Sequence, residues 1–281
     1  EQWHCRYGHL NFGYINKLAQ GNLVTGMKYT KGETNHECEA CAQAKSHRIP
    51  VPKQSLKKTS QPLELIHSDV CGPMNIDSIG GSKYVLTFTD DYTRYVTVYF
   101  LRRKSEVSEK FQEYVSMMEN FTGLKVKTLR TDNGGEYVSA DLSEFCTKKG
   151  IVHQYSNPYT PEQNGVSERL NRTLLESAKS MMFHANMPIK FWAEAVNTAA
   201  YLHNRSPTSS LNMKTPYEYW FGKQPDVSNL KVFGSVCYIH IPNDSRRKLD
   251  PKSRKAVFMG YPLDTKGYKV YDLKLNKFMR C

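Results

Sequence analysis

The sequence predicts an α/β protein with a mixed β-sheet covered by helices and a smaller unit at each end. Between residues 63 and 156, apolar runs of strand length alternate with stretches of helical periodicity. The proline-rich, basic segment 50–62 separates this region from the N-terminal part. Short alternating stretches after residue 230 predict a small β-barrel. We therefore expect three domains, at residues 1–55, 56–225 and 226–281.

The elements of the central region follow from local patterns. Strands are expected over residues 63–72, 83–90 and 96–101, and the last two form a hairpin. A helix over 105–121, a strand ending in Asp132, a helix closed by Gly150 and a fifth strand come next. Helices continue to residue 207, and residues 214–225 read as a connection. We expect Trp192 and Trp220 to be packing residues, because aromatic side chains bury large areas.

Composition excludes some classes of protein. The 281 residues are 39% apolar, which is ample core material. No run approaches the roughly 20 apolar residues of a membrane helix, and the N-terminus lacks a secretory signal pattern. The seven cysteines are odd in number and mostly isolated, which favours a reducing compartment. Because the chain does not begin with methionine, we expect a segment cut from a longer precursor or a trimmed chain.

The net charge of +12 is concentrated at the two ends of the chain. Residues 1–60 contain nine Lys and Arg against four acids, residues 61–227 contain 18 against 19, and residues 228–281 contain 12 against four. Basic ends around a near-neutral centre favour binding to a polyanion such as DNA. Ordinary solubility charge is the alternative.

Near the N-terminus, two histidines and a CxxC pair predict a structural zinc site. The candidate ligands are His4, His9, Cys38 and Cys41. Two imidazoles and two thiolates suit tetrahedral zinc, which would tie together a helical unit too small to hold a core unaided. The CxxC pair alone could also be a redox motif or a chance pair. The spacing leaves three competing ligands open, namely Cys5, His36 and His47.

Two predicted strands deliver an aspartate at their C-terminal ends. These are Asp69 in HSDVCG and Asp132 in RTDNGGEY. Each could merely form a turn, but ligands of open α/β sheets bind at such strand ends. Glu168 begins a helix after the glycine-containing loop NPYTPEQNGV and could converge on both. Three converging carboxylates need divalent cations such as Mg²⁺, and two such ions support phosphodiester displacement.

This trio, with 35 residues between Asp132 and Glu168, resembles the DDE pattern of retroviral and retrotransposon integrases. TDNGGEY and NPYTPEQNGVSERLNRT resemble the extended motifs of that family, and WHCRYGHL with CEAC resembles its zinc-binding HHCC domain. DDYTRYVTVYFLRRKSE, KVFGSVCYIHIP, KLDPKSRKAVFMGY and KGYKVYD resemble the Ty1/copia branch. The resemblance implies an RNase H-like core, an SH3-like C-terminal barrel and an integrase cut from a Gag-Pol polyprotein.

The resemblance also implies roles for individual residues. Asp69 would bridge two Mg²⁺ (or Mn²⁺) ions, Asp132 would complete one site and Glu168 the other. Asn171 and Arg172 share the helix face of Glu168 and could touch DNA ends or be solvated surface. Asn133 and Glu136 could orient Asp132 or only close its turn. Further DNA contacts are expected from a loop before the helix and from the basic C-terminal domain: Tyr159, Gln163, Asn164, Lys248, Lys252, Arg254 and Lys255.

These expectations amount to an enzyme that joins 3′-hydroxyl ends of linear retroelement cDNA to target DNA, with or without prior end trimming. Its partners would be double-stranded DNA and further copies of the chain, as a dimer or tetramer, with no membrane. It would act in the nucleus after a cytoplasmic virus-like particle stage. Two alternatives stay open: a domesticated, inactive DNA-binding module, and an RNase H-like metal nuclease that cleaves without joining.

Overall fold

The computed structural model describes residues 2–7, 12–20, 27, 38–39, 59–156, 165–262 and 267–281. The chain divides into two compact units, residues 1–54 and 55–281. The first unit contains helices α1 (Gln2–Arg6) and α2 (Phe12–Gln20), and Ile15 of α2 is buried. His9, Cys41 and the side chain of His4 lie outside the described residues, and Cys38 is half-buried. The zinc site therefore stays a prediction.

The second unit is built on a five-stranded mixed sheet. Its strands are β1 (Ile66–Cys71), β2 (Tyr84–Asp90), β3 (Val96–Leu101), β4 (Thr128–Thr131) and β5 (Val152–Tyr155), in the spatial order β3-β2-β1-β4-β5. The first three strands are antiparallel, whereas β4 and β5 run parallel to β1. This confirms the predicted mixed sheet and the strands that compose it.

Helices cover both faces of this sheet. On one face lie α3 (Val107–Thr122) and α4 (Ala140–Lys149), and on the other lie α5 (Gly165–His184) and α6 (Trp192–His203). Gly123 and Gly150 end α3 and α4 in the left-handed conformation, which glycine adopts without a Cβ penalty. None of the helices in the described ranges is long and apolar enough to cross a membrane.

Residues 214–225 form more than the connection expected from the sequence, because they contain helix α7 (Pro216–Phe221). The Thr215 side chain accepts a hydrogen bond from the Glu218 amide at 3.1 Å, and Pro216 occupies the first turn. These are favourable N-terminal residues for a helix. Trp220 of α7 is buried against the sheet, and Trp192 of α6 is buried on the other face, which confirms both as packing residues.

The C-terminal residues form a second, antiparallel sheet that packs on the core. Its strands are β6 (Val236–His240), β7 (Ser253–Gly260), β8 (Lys269–Asp272) and β9 (Lys277–Arg280), in that spatial order. A bulge between Phe258 and Gly260 interrupts the β7 pairing.

Residues of this second sheet share one hydrophobic cluster with α5 and α6. Lys269 Nζ lies 2.7 Å from both carboxylate oxygens of Glu194 in α6. Gly260, at φ +122°, packs so closely on Thr198 that a Cβ would collide with the threonine hydroxyl. The basic sheet is thus fixed to the core of the same chain.

Candidate active site

Asp69 lies on β1, the central strand of the core sheet. Its Oδ2 accepts a 2.8 Å hydrogen bond from Asn171 Nδ2, and its Oδ1 accepts one from the Val70 amide at 3.0 Å. Asn171 is buried on α5, which packs across β1. The helix therefore orients this carboxylate directly.

Asp132 follows β4 at the same level of the sheet. Strands β1 and β4 pair in parallel through His67 and Arg130, and each aspartate lies two residues beyond this pair. The register of the sheet therefore brings both aspartates to one edge, although β1 continues to Cys71 and does not end at Asp69 as expected. Asp132 Oδ1 accepts a hydrogen bond from the Gly134 amide at 3.0 Å, which turns the chain after β4.

Glu168 lies in the first turn of α5, three residues before Asn171. Residues three apart occupy the same side of a helix, so Glu168 lies one turn from the residue that binds Asp69. Its side chain is exposed. The helix thus provides both a buried amide that orients Asp69 and a carboxylate that is free to reorient.

The electrostatics of Asp69 link the three carboxylates. Burial raises the pKa of Asp69 from its ordinary value of 3.8 to about 6, the Asn171 hydrogen bond opposes the rise, and the charges of Asp132 and Glu168 add to it. Glu168 and Asp132 are therefore close enough to repel the charged form of Asp69. A cation at this edge of the sheet would relieve that repulsion.

The donor chemistry fits a divalent metal. Carboxylate oxygens are the ligands that Mg²⁺ and Mn²⁺ prefer, and one of them, on Asp69, is held in a partly desolvated position. As placed in the described part of the chain, however, no group of three or more His, Cys, Asp and Glu side chains is arranged to hold a metal ion.

The structure adds two contacts that the sequence analysis did not foresee. Tyr137 is buried, and its hydroxyl lies 2.7 Å from Ser68 Oγ, which connects the segment after Asp132 to β1. Lys104 Nζ lies 2.8 Å from Glu136 Oε1, and the Glu136 side chain is only 7% exposed. No local spacing pattern could have found Lys104, because it lies 32 residues before its partner.

The predicted DNA contacts of the core fall into three groups. Asn171 is buried and bonded to Asp69, so its observed contact is with the carboxylate. Arg172 is exposed. Tyr159, Gln163 and Asn164 lie outside the described residues. Asn133 was expected to orient Asp132 or to close its turn. Its side-chain amide donates a hydrogen bond to the Ser156 carbonyl at 3.1 Å and so holds the turn against the end of β5.

The four basic candidates of the C-terminal region divide in a similar way. Lys248, Lys252 and Lys255 are exposed. Arg254 is half-buried, and its Nε lies 3.1 Å from the Oδ2 of Asp272, a buried residue. The guanidinium of Arg254 thus neutralises a carboxylate of the sheet, which distinguishes it from the three lysines.

Three family models match successive parts of the chain. Residues 1–46 match the GAG-pre-integrase domain, residues 59–161 match the integrase core domain, and residues 235–281 match the retroviral polymerase SH3-like domain. These matches agree with the observed mixed sheet and with the second sheet at the C-terminus.

Similar proteins are found among plant transposons. The chain is 43% identical over 278 residues to the retrovirus-related Pol polyprotein from transposon TNT 1-94 of Nicotiana tabacum, covering 99% of this chain and 21% of that protein. It is 36% identical over 266 residues to the corresponding polyprotein from transposon RE2 of Arabidopsis thaliana, covering 95% and 18%. The chain thus spans about a fifth of the length of the curated relatives it matches.

A solved structure shares the fold. The chain in the cryo-electron microscopy structure of a simian T-cell lymphotropic virus intasome, in complex with the PP2A regulatory subunit B56 gamma, superposes with a TM-score of 0.57 at 15% identity, covering 100% of this chain and 98% of that one. The match to the integrase core domain and this shared fold together identify the core as an RNase H-like integrase core. By sequence, the chain belongs to the integrases of Ty1/copia-type retrotransposons, and the relatives that it matches are Pol polyproteins.

The raised pKa of Asp69 predicts that its substitution stabilises the fold. Its carboxylate titrates near 3.8 when unfolded and near 6 when folded, so its ionisation opposes folding increasingly as pH rises through this window. In EDTA at pH 7, Asp69→Asn should therefore increase the free energy of unfolding by about 3 kcal/mol. Urea denaturation measures the change.

The gain should shrink as the pH falls below about 6 and disappear at about pH 3 and below, where wild-type Asp69 is protonated in both states. Asp77→Asn removes an exposed carboxylate and should change little at either pH. Equal stability of Asp69→Asn and the wild type at pH 7 would show that this carboxylate is not held at an electrostatic cost.

Proposed function

We propose that this integrase joins the 3′-hydroxyl ends of linear retroelement cDNA to target DNA. The observation that carries the proposal is the common level of Asp69 and Asp132 at one edge of the sheet, with Glu168 one helical turn from the residue that binds Asp69. The family membership supports the same reaction class, a polynucleotidyl transfer.

Asp69, Asp132 and Glu168 would hold divalent cations, either Mg²⁺ or Mn²⁺. When bound, such ions supply Lewis-acid stabilisation of the attacking and leaving oxygens of a phosphodiester displacement. The residues of the chain position the carboxylates that would hold these ions. The Asn171 and Val70 amides each donate one hydrogen bond to Asp69, and the Gly134 amide donates one to Asp132, so these contacts orient the two carboxylates.

In the proposed reaction, the donor 3′-hydroxyl attacks a target phosphorus in line. One phosphorus–oxygen bond forms to the donor and one breaks to the target 3′-oxygen. The donor hydroxyl loses its proton to solvent, and the departing target oxygen takes up a proton from solvent as a 3′-hydroxyl. No protein nucleophile is consumed, since the donor strand provides the attacking oxygen. End trimming would be the same displacement with water as the attacking group.

Exposed basic residues would hold the DNA. We assign phosphate contacts to Arg172 on α5 and to Lys248, Lys252 and Lys255 of the C-terminal region, whose charges suit a polyanion. Tyr159, Gln163 and Asn164 remain proposed contacts of the loop before α5. The protein would act as a dimer or tetramer, because two donor ends must be held together, and in the nucleus at the joining step.

Glu168→Gln should abolish joining. The change keeps the shape of the side chain but removes the charge that a cation requires, so we expect a loss of at least about 100-fold. Labelled donor and target oligonucleotides with Mg²⁺ measure it as joined product on a gel. Glu176→Gln, the same substitution at an exposed position of the same helix, should retain activity.

The same gel separates the alternatives. Joined product that persists with Glu168→Gln contradicts the proposed role of this residue. Cleaved DNA without joined product from the wild type favours a metal nuclease. Bound DNA without any product favours an inactive DNA-binding module.

We further propose that His4, His9, Cys38 and Cys41 hold a structural zinc ion, since two imidazoles and two thiolates form a closed tetrahedral set. Elemental analysis of the purified chain should find about one zinc ion per molecule. The ion should be lost when Cys38 and Cys41 are both changed to serine and kept in Cys5→Ser. Absence of zinc, or its retention in the double variant, would remove this site.

A further inference from the structure

Glu136 places a fourth carboxylate beside Asp132. The two flank Gly134, where a Cβ would lie 2.9 Å from Glu136 Oε2 and 3.0 Å from Asp132 Oδ1. Because both oxygens lie that close to one point, they are less than about 6 Å apart. The adjacent Gly135 differs, since a Cβ there would meet nothing within 4 Å. The absence of a side chain at residue 134 is thus what allows both carboxylates to approach the turn.

Lys104 supplies a positive charge to this group. Its Nζ lies 2.8 Å from Glu136 Oε1, on the turn between β3 and α3, and 6.0 Å from the centre of the Tyr84 ring. The Glu136 side chain is 7% exposed, whereas that of Lys104 is 43% exposed. The lysine can therefore swing into solvent, but the glutamate is held in place beside Asp132.

These positions have opposite consequences for a divalent cation at Asp132. A nearly buried negative charge within about 6 Å of Asp132 attracts a cation, and in this partly desolvated setting the attraction is screened less than at the surface. The Lys104 ammonium repels a cation from the same region and neutralises Glu136. An ordinary structural ion pair would instead only fix the turn. The loss of either partner would then change the affinity for the cation in the same direction.

We propose that Glu136 strengthens and Lys104 weakens the binding of divalent cations on the Asp132 side of the active site. This inference rests on the proposed function, because it concerns the same site. In this account the charge of Glu136 acts on a cation that is held by Asp132. Lys104 would serve as a resident cation that moves away from Glu136 when a divalent ion binds.

Mn²⁺ binding to the full chain without DNA tests the proposal, with electron paramagnetic resonance reporting the free ion. Glu136→Gln should raise the Kd about tenfold, as loss of an outer partner of a metal site commonly does. Lys104→Gln, which keeps a hydrogen-bond donor, should lower the Kd severalfold. Lys214→Gln and Glu218→Gln, which remove the partners of a 3.0 Å ion pair on and before α7, should leave it unchanged.

A pair of glycine variants tests the geometry without removing a charge. Gly134→Ala should weaken Mn²⁺ binding, because its methyl group displaces the ends of both carboxylates, while Gly135→Ala should not. This pair remains informative if a charge variant fails to fold. Equal effects of the two alanine substitutions would overturn the proposal.

Asp132→Asn separates this inference from the proposed function. If Asp132→Asn binds Mn²⁺ like the wild type, the metal site itself is wrong. If Asp132→Asn loses binding while Glu136→Gln and Lys104→Gln match the wild type, or shift the Kd in the same direction, only the present inference fails. Opposite shifts of the Kd in the two charge variants support it.

Discussion

The parallel pairing of β1 with β4 is the constraint on which the rest of the site depends. It sets Asp69 and Asp132 at one level although 62 residues of chain separate them. The hairpin of β2 and β3 and the helix α3 use that intervening chain to complete one face of the core. The Ser68–Tyr137 hydrogen bond then ties the segment after β4 back to β1. The relative position of the two aspartates is therefore fixed by the strand pairing that precedes them and by this contact beyond Asp132.

Helix α5 completes the arrangement at an energetic cost to the fold. Its buried side packs in the hydrophobic cluster, and the same side carries the Asn171 amide to Asp69. Burial brings Asp69 into an environment that disfavours its charge, and two nearby carboxylates increase the effect. Such repulsion lowers the stability of the folded chain without a cation, and the same repulsion favours the binding of a cation. The exposed position of Glu168 leaves one carboxylate able to adjust.

Much of this architecture could be predicted from the sequence because strands, turns and helix ends are local patterns. The strand that leads into Asp132 and the left-handed glycine after α4 follow from such patterns. Helix α7 was missed because Thr215 and Pro216 resemble turn residues until the following aromatic residues pack. Lys104 and Arg254 were beyond local reasoning, since their partners lie 32 and 18 residues away and only the folded chain reveals which charges are buried.

The central claim is that the edge formed by β1, β4 and α5 binds divalent cations through Asp69 and Asp132. Anomalous diffraction from crystals of the full chain soaked in Mn²⁺ tests it most directly. The account predicts an anomalous peak within about 2.5 Å of carboxylate oxygens of both aspartates, with the Glu168 side chain turned toward it. Peaks located only at other carboxylates, with none shared by Asp69 and Asp132, would contradict the account.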